Sequence, residues 1–242
     1  MLLNRKQTAN TRRRHLYNLA RDDAEDAMPD SVKAILLVVG ASASAATMHN
    51  IVRYLTVEEG LHAFEVAFFR GFLGLIIFIP VIARNGFGLF RTDMLPWHLG
   101  RGLVNAGAML CMITALSLIP VGDVAAISLV GPVFVALLAI FFLGEKVGPR
   151  RWLGISLAVA GAFVVVRPGF VAINLGTVLV LMAVFLVSNS KVMAKMLSRH
   201  DSPTTIVAYV TLLMTPVTLI PALFVWQWPT LEQFLWLTAI GL

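Results

Sequence analysis

Long apolar stretches with almost no charged residues are the feature that most constrains this chain. They recur from residue 32 onward, and each supplies the ~20 helical residues that cross a bilayer core of ~30 Å. Of the 242 residues, 58% are hydrophobic and 13% are charged, against ~25% charged in an ordinary soluble domain. The composition excludes a soluble enzyme and predicts an all-α protein that crosses the membrane several times.

Seven spans fit this length, and an eighth begins near Thr230 and reaches Leu242. The connectors are too short to hold a soluble domain, so we expect one helical membrane domain. The segment 1–31 carries 11 of the 32 charges and predicts a disordered cytoplasmic tail. The predicted spans are 32–51, 64–83, 97–118, 121–142, 150–167, 173–192 and 204–225.

Lysine and arginine are distributed unequally between the two sides of these spans. The tail with Lys33, the loops 84–91 and 146–151 and the end of the sixth span carry 15 of the 19 basic residues. The alternate loops carry only Arg53 and Arg167. Basic loops lie on the cytoplasmic side, which predicts a multi-pass protein of the cytoplasmic (inner) membrane with a cytoplasmic N-terminus. The same loops explain the net charge of +6, so no nucleic acid partner is expected.

An internal repeat appears when the sequence is compared with itself, because segment 65–80 aligns with segment 206–221 at an offset of 141. Five spans separate the two copies, so the second copy must enter the membrane from the opposite side. This arrangement is typical of inverted-repeat transporters. The identical pairs are Val66 and Val207, Ala67 and Ala208, Ile79 and Ile220, and Pro80 and Pro221.

The repeat divides the chain into a first five-helix copy over 32–169 and the start of a second, inverted copy over 170–242. Adding the offset of 141 to Arg167 predicts that the second copy ends near position 308. The chain is therefore expected to hold about seven and a half helices of an inverted-repeat bundle of ten.

Several short motifs give this pattern a family resemblance. They are Phe69-Arg70-Gly71, Gly131-Pro132, the segment from Phe142 to Glu145, the segment from Arg151 to Gly154, Ala160-Gly161 and Arg167-Pro168-Gly169. Over residues 32–242 the chain resembles EamA-type transporters of the drug/metabolite transporter superfamily. The resemblance implies ten helices in two inverted five-helix repeats, cytoplasmic termini, and export or exchange of small metabolites through a central cavity. The chain departs from it where Thr211 replaces Arg70 in the second copy, and in lacking the last helices.

Arg70 is the sharpest functional candidate, because a charge at the centre of a span costs ~3 kcal/mol on insertion scales. It either serves the substrate path or extends its side chain to the outer interface, and both explanations stay open. Glu65 lies ~140° away around the helix and is a poor partner, whereas Asp123 begins the fourth span. We hypothesise that Arg70 and Asp123 form an ion pair at an outer gate or contact an anionic substrate group. Glu65 and Asp123 are also the two acids placed to titrate in the outer half.

Three further polar residues are candidates for the substrate path. His49 could relay protons or be a solvated histidine near the end of the first span. Asn105 lies one turn from Arg101 on the third span, and Asn189 lies near the inner end of the sixth. For Asn105, anchoring of Arg101 at the inner interface is the alternative to a substrate contact. Asn189 could line the inner vestibule together with Lys191, whose side chain could instead extend to the interface.

Two prolines are hinge candidates. Pro132 lies in the middle of the predicted fourth span, where its missing N–H would leave the carbonyl of Ser128 without a helical partner. Pro216 would free Leu212 in the same way in the seventh span. A kink packed against neighbouring helices is the alternative at both positions.

Motifs of other function classes are missing from the sequence. It holds no HExxH, GxSxG, Cys/His cluster or P-loop, and its single cysteine, Cys111, excludes an internal disulfide. We therefore predict a secondary transporter, with no cofactor, no metal and no enzymatic activity. A membrane-embedded enzyme or a channel remains the alternative. The expected partners are a small-molecule substrate and the lipid bilayer, and a homodimer stays open.

Overall fold

The computed structural model describes residues 30–144, 148, 152–157, 160–161 and 174–241. Its helices are α1 (Asp30–Val57), α2 (Ala63–Asn85), α3 (Leu95–Leu118), α4 (Val121–Ser128), α5 (Gly131–Leu143), α6 (Leu175–Leu197), α7 (Pro203–Leu223) and α8 (Leu231–Gly241), with a 3-10 turn at Phe87–Phe90. Residues 152–157 and 160–161 are also helical. No strand occurs in these residues, and six helical stretches are long and apolar enough to cross a membrane. The all-α multi-pass prediction is confirmed.

The helix ends differ from the predicted spans in informative ways. The first helix runs to Val57, past the predicted end at 51, and includes Arg53. The Arg53 side chain donates hydrogen bonds to the carbonyls of Leu116 (2.9 Å) and Ile119 (2.6 Å). Because carbonyls at the end of α3 accept these hydrogen bonds, the charged side chain of Arg53 can lie within α1, and α1 continues past it. The predicted tail (1–31) lies outside the described residues except for its last two, and the predicted span at 150–167 is described only in part.

Side chains at the helix starts set where α2, α6 and α7 begin. In α2, Glu65 accepts a hydrogen bond from the His62 backbone N–H, while His62 accepts one from Phe64 N–H. The Asn174 side chain caps α6 by accepting a hydrogen bond from the Thr177 N–H. The Ser202 side chain caps α7 in the same way by accepting from the Thr205 N–H. Such caps satisfy backbone donors that have no partner inside the helix.

Two compact units divide the described chain, one ending at Thr47 and the other starting at Met48. In the second unit, α3 and α6 form the most extensive of the described helix contacts, and α2 and α3 both pack on α7. Glycines such as Gly102 and Gly241 allow close approaches between helices. The fully buried apolar side chains include Val52, Leu55, Val66, Leu116, Val124, Val180, Leu197 and Leu237. Large apolar side chains such as Leu103 and Phe141 are exposed, as is normal for a surface that faces lipid.

Two glycine contacts in this unit mirror each other. A methyl group on Gly102 of α3 would lie 2.7 Å from Cβ of Leu213 in α7, and one on Gly241 of α8 would lie 2.6 Å from Cβ of Leu73 in α2. The sequence numbers of Gly102 and Gly241 differ by 139, and those of Leu73 and Leu213 differ by 140. Each contact joins a glycine of one segment to a leucine of the other, at separations close to the offset of 141 found in the sequence.

The predicted fourth span is broken in the middle. Residues 129–130 form a turn between α4 and α5, and Pro132 lies in the first turn of α5. Leu129 and Val130 keep right-handed helical dihedral angles, and residues 121–142 remain one stretch long enough to cross a membrane. Pro132 therefore lies beside a local interruption of the span, and its role as a hinge stays a prediction. Pro216, by contrast, lies inside an unbroken α7.

Candidate functional site

A cavity of about 270 Å³ lies among α1, α2, α3, α6 and α7 within the second unit. Three of the polar residues singled out from the sequence line it, namely Arg70, His49 and Asn105. They come from three different helices, so only the packing of the bundle brings them together. The full lining is Met48, His49, Val52, Arg70, Asn105, Ala108, Met109, Met112, Ile113, Leu116, Val187 and Met214.

Arg70 provides the positive charge of this cavity. It is half-buried on α2, and the described residues include no ion-pair or hydrogen-bond partner for its guanidinium. His49 lies close enough to Arg70 for the two charges to interact. No aspartate or glutamate is among the lining residues. The described part of the site therefore favours a ligand with a negative or electron-rich group.

Methionine is the commonest residue of the apolar wall, four of its nine side chains. Met48, Met109, Met112 and Met214 all line the cavity, and Asn105 Nδ2 lies 3.7 Å from Sδ of Met214. Unbranched thioether side chains adapt to ligands of different outline and contact aromatic rings favourably. The sequence did not predict this wall, because a methionine within a membrane span cannot be told apart from the other apolar residues by hydropathy.

The other three polar candidates lie elsewhere. Asp123 is exposed at the start of α4 and makes no ion pair with Arg70, so the predicted gate pair is not formed in this structure. Glu65 is fully buried, and besides capping α2 it accepts a hydrogen bond from the Gln227 backbone N–H. Asn189 is half-buried on α6 and does not line the cavity.

A hydrogen-bonded cluster around Asp201 joins the α2–α3 connection to the α6–α7 connection. Asp201 Oδ2 accepts from Thr92 Oγ1 (2.8 Å) and lies 2.9 Å from His98 Nε2. His98 is fully buried and stacks on Tyr209 with ring centroids 4.3 Å apart, and Tyr209 donates to the carbonyl of Phe90 (2.8 Å). We call this end of the bundle the Asp201 face.

The Asp201 carboxyl titrates below its ordinary range. Burial by itself would raise its pKa, but the hydrogen bonds from His98 and Thr92 and the nearby His200 outweigh burial, so the pKa is lowered. The carboxylate thus stays ionised at neutral pH. His98 Nδ1 has no hydrogen-bond partner among the described residues.

A second cross-connection lies at the opposite helix ends, on what we call the Gln233 face. The side chain of Gln233, which is 9% exposed, donates to the Glu59 carbonyl (3.2 Å) and lies 3.4 Å from Glu59 Oε2. It ties the α1–α2 connection to α8. The bond from Gln227 N–H to Glu65 lies on the same face. Sequence analysis identified neither cross-connection, since partners so far apart in the chain leave no local pattern.

A second cavity, of about 530 Å³, borders the break between α4 and α5. Pro132 and Ser128 line it together with Lys191 of α6. Ser188 of α6 donates to the carbonyl of Gly131 (3.2 Å) at the break. In the described part of the chain, no three His, Cys, Asp or Glu side chains are grouped so that they could hold a metal ion.

Comparison with known proteins decides the family. The model of the EamA-like transporter family matches residues 32–167. The chain belongs to this family. As an EamA-like protein, it shares its cavity-lining helices α1, α2 and α3 with the matched region.

Curated relatives of this EamA-like chain are named as transporters. It is 30% identical over 212 residues to a riboflavin transporter of Vibrio cholerae, covering 87% of this chain and 71% of the relative. It is 26% identical to an S-adenosylmethionine uptake transporter of Rickettsia bellii, covering 88% and 74%. It is 30% identical to the pseudopaline exporter CntI of Pseudomonas aeruginosa, covering 69% and 59%. The chain thus spans between about three fifths and three quarters of the length of these relatives.

A solved structure shows the same fold. One crystal structure superposes with a TM-score of 0.57 over 83% of this chain and 74% of the other, at 20% sequence identity. At that identity the likeness concerns the arrangement of the helices only.

Proposed function

We propose that this chain forms the substrate path of a secondary transporter, an exporter or exchanger that carries a small organic metabolite across the cytoplasmic membrane by alternating access. The proposal takes 32–169 and 170–242 as the two copies of the inverted repeat, and the N-terminus as cytoplasmic. The mirrored glycine contacts and the asymmetry of basic loops support this topology. Because one chain lines the cavity, a homodimer is not required for the path.

The observation that carries the proposal is Arg70, a guanidinium on the wall of an interhelical cavity with no ionic partner among the described residues. Charges inside membrane helices are costly and mark ligand or ion paths. A substrate with an anionic or strongly polar group would be held by Arg70, with Asn105 and His49 offering further hydrogen bonds. The methionine wall would accept its apolar body. Riboflavin and S-adenosylmethionine, which the relatives are named for, both combine polar groups with flat rings.

Transport in liposomes tests the proposal. The chain is reconstituted, and counterflow of labelled riboflavin, labelled S-adenosylmethionine and a set of labelled carboxylated metabolites is measured. We expect saturable counterflow of at least one compound. Flux that rises linearly with concentration would point to a channel, and chemical conversion of the compound to an enzyme, so either result would reject a secondary transporter.

Variants of Arg70 tie the transport to the cavity. Arg70→Ala should lower uptake by about tenfold or more, since a hydrogen bond to a charged group contributes about 1.5–3 kcal/mol. Arg70→Lys should retain part of it. Arg84→Ala removes an exposed arginine from the end of the same helix and is the matched control. Asp123→Asn tests the gate pair, which this structure does not form. Equal losses for Arg70→Ala and Arg84→Ala would remove the role of the cavity.

A further inference from the structure

We propose that the Asp201 contacts and the Gln233 contact are a pair of latches that close the two faces of the bundle in turn. The inference rests on the proposed transport function, because a latch has a role only if the cavity opens to each side. It assigns to Thr92, His98 and Asp201, and separately to Glu59 and Gln233, the control of access to the Arg70 cavity. These residues are positioning residues, and none of them lines the cavity.

The first support is that the two contacts occupy nearly equivalent positions in the repeat. The sequence numbers of Glu59 and Asp201 differ by 142. Counted from Gly102 and Gly241 along the two helices, Gln233 corresponds to Met94, two residues from Thr92. The contact between Thr92 and Asp201 therefore lies within two residues of the counterpart of the contact between Gln233 and Glu59, with the copies exchanged. The two glycine–leucine contacts show the same exchange. Contacts related in this way lie at opposite ends of the bundle.

The second support is that each latch joins the two copies rather than residues of one copy. Thr92 and His98 belong to the first copy and Asp201 to the second, while Glu59 belongs to the first and Gln233 to the second. Rocking one copy against the other about the centre of the bundle would stretch one contact and compress the other. Breaking the Asp201 contacts would separate the α2–α3 connection from the α6–α7 connection. Breaking the Gln233 contact would separate the α1–α2 connection from α8.

The two latches differ in the strength of their hydrogen bonds. This difference favours opening of the cavity toward one face over opening toward the other. On the Asp201 face, two hydrogen bonds of 2.8 and 2.9 Å reach a carboxylate. Arg101 of α3 adds hydrogen bonds to the carbonyls of Ser190 and Ile206 near this end. On the Gln233 face, the amide makes contacts of 3.2 and 3.4 Å, and Glu65 accepts one backbone hydrogen bond from Gln227. Short hydrogen bonds to an ionised group are the stronger kind. The Asp201 face is therefore closed more firmly, and the cavity should open more often toward the Gln233 face.

Cysteine accessibility from each side tests this direction without any substrate. Val187 lines the cavity, so Val187→Cys in a Cys111→Ala background serves as reporter in sealed vesicles. A membrane-impermeant maleimide is added to one side at a time. The reporter should react faster from the Gln233 face. Asp201→Asn should raise the rate from the Asp201 face by about three- to tenfold, the effect of one net hydrogen bond, and lower the rate from the other face.

Two controls keep the measurement decisive. Asp93→Asn removes the same charge from an exposed side chain next to Thr92 and should leave both rates unchanged. If Asp201→Asn reduces the amount of folded protein, Thr92→Val removes one donor while the His98 contact remains, and it should give a smaller shift in the same direction.

The opposite latch gives the reverse expectation. Gln233→Leu should slow labelling from the Asp201 face relative to the Gln233 face, whereas Glu232→Gln, an exposed neighbour, should not. The proposal is overturned if Asp201→Asn changes both rates equally or neither, or if Gln233→Leu shifts the ratio in the same direction as Asp201→Asn. Unchanged sidedness with intact counterflow rejects the latches alone, whereas failed counterflow with the expected shifts rejects only the proposed function.

Discussion

Replacing Asp201 by alanine should destabilise the protein much more than replacing the aspartate of the neighbouring loop, Asp93. Asp201→Ala removes the acceptor of two hydrogen bonds. His98 is fully buried and its Nδ1 already has no partner among the described residues, so the variant leaves both ring nitrogens unpaired. A hydrogen bond to a charged group contributes about 1.5–3 kcal/mol. Thr92 is half-buried and its hydroxyl can turn toward water, adding at most about 1 kcal/mol. The expected loss is about 1.5–4 kcal/mol.

The free energy of unfolding in detergent micelles, obtained by denaturant titration, measures this loss. Asp93→Ala should lie within about 0.5 kcal/mol of the unchanged protein, as exposed substitutions usually do. His98→Phe keeps a ring stacked on Tyr209 and removes both nitrogens. In that background Asp201→Ala should cost little, which gives a coupling of about 1.5–3 kcal/mol between the two sites. Additive effects of the two substitutions, or equal losses for Asp201→Ala and Asp93→Ala, would refute the reasoning.

Three further predictions follow from the same contacts. Gly102→Ala should lower the free energy of unfolding by about 1–3 kcal/mol through overpacking, and adding Leu213→Ala should not restore it, because alanine keeps the Cβ atom that lies 2.7 Å from the new methyl group. Arg53→Met should lower the unfolding free energy by about 1–3 kcal/mol, because it removes two hydrogen bonds to carbonyls at the end of α3. The stability difference between the unchanged protein and Asp201→Asn, followed by denaturant titration against pH, should shrink as the pH falls below about 4, because a carboxyl with a lowered pKa stabilises only while ionised; a difference already lost at pH 5 would contradict this.

The helices were predictable because membrane thickness leaves few alternatives for a long apolar stretch. The start of α8 at Leu231, next to the predicted Thr230, shows how closely hydropathy locates a boundary. Hydropathy failed at Arg53, where a tertiary hydrogen bond lets a charged residue continue α1. At residues 129–130 hydropathy gives no signal, and Pro132, two residues further on, is the sequence feature that marks the interruption.

The site was predictable only where polarity stands out against an apolar background. Arg70, His49 and Asn105 were identified in this way, and the structure brings them to one cavity. Glu65 was chosen by the same reasoning, but a carboxylate in the first turn of a helix satisfies backbone donors there. The contact of His98 with Asp201 was missed because the two residues are far apart in the chain, and a separation of that size carries no pattern.

The broken fourth span has a consequence for what surrounds it. At 1.5 Å per residue, α4 rises ~12 Å and α5 ~20 Å, so neither piece alone traverses a ~30 Å hydrocarbon layer. The turn at residues 129–130 must then sit deep between the two water phases, where hydrocarbon chains can satisfy no peptide group. Ser188 donates a hydrogen bond to the Gly131 carbonyl. The adjoining cavity of about 530 Å³ has room for water that would hydrogen-bond to other backbone groups. The N–H groups of Leu129 and Val130 donate to carbonyls of the preceding turn, so the groups that need neighbouring protein or water at this depth are the carbonyls that Pro132, with no N–H, leaves without a helical donor.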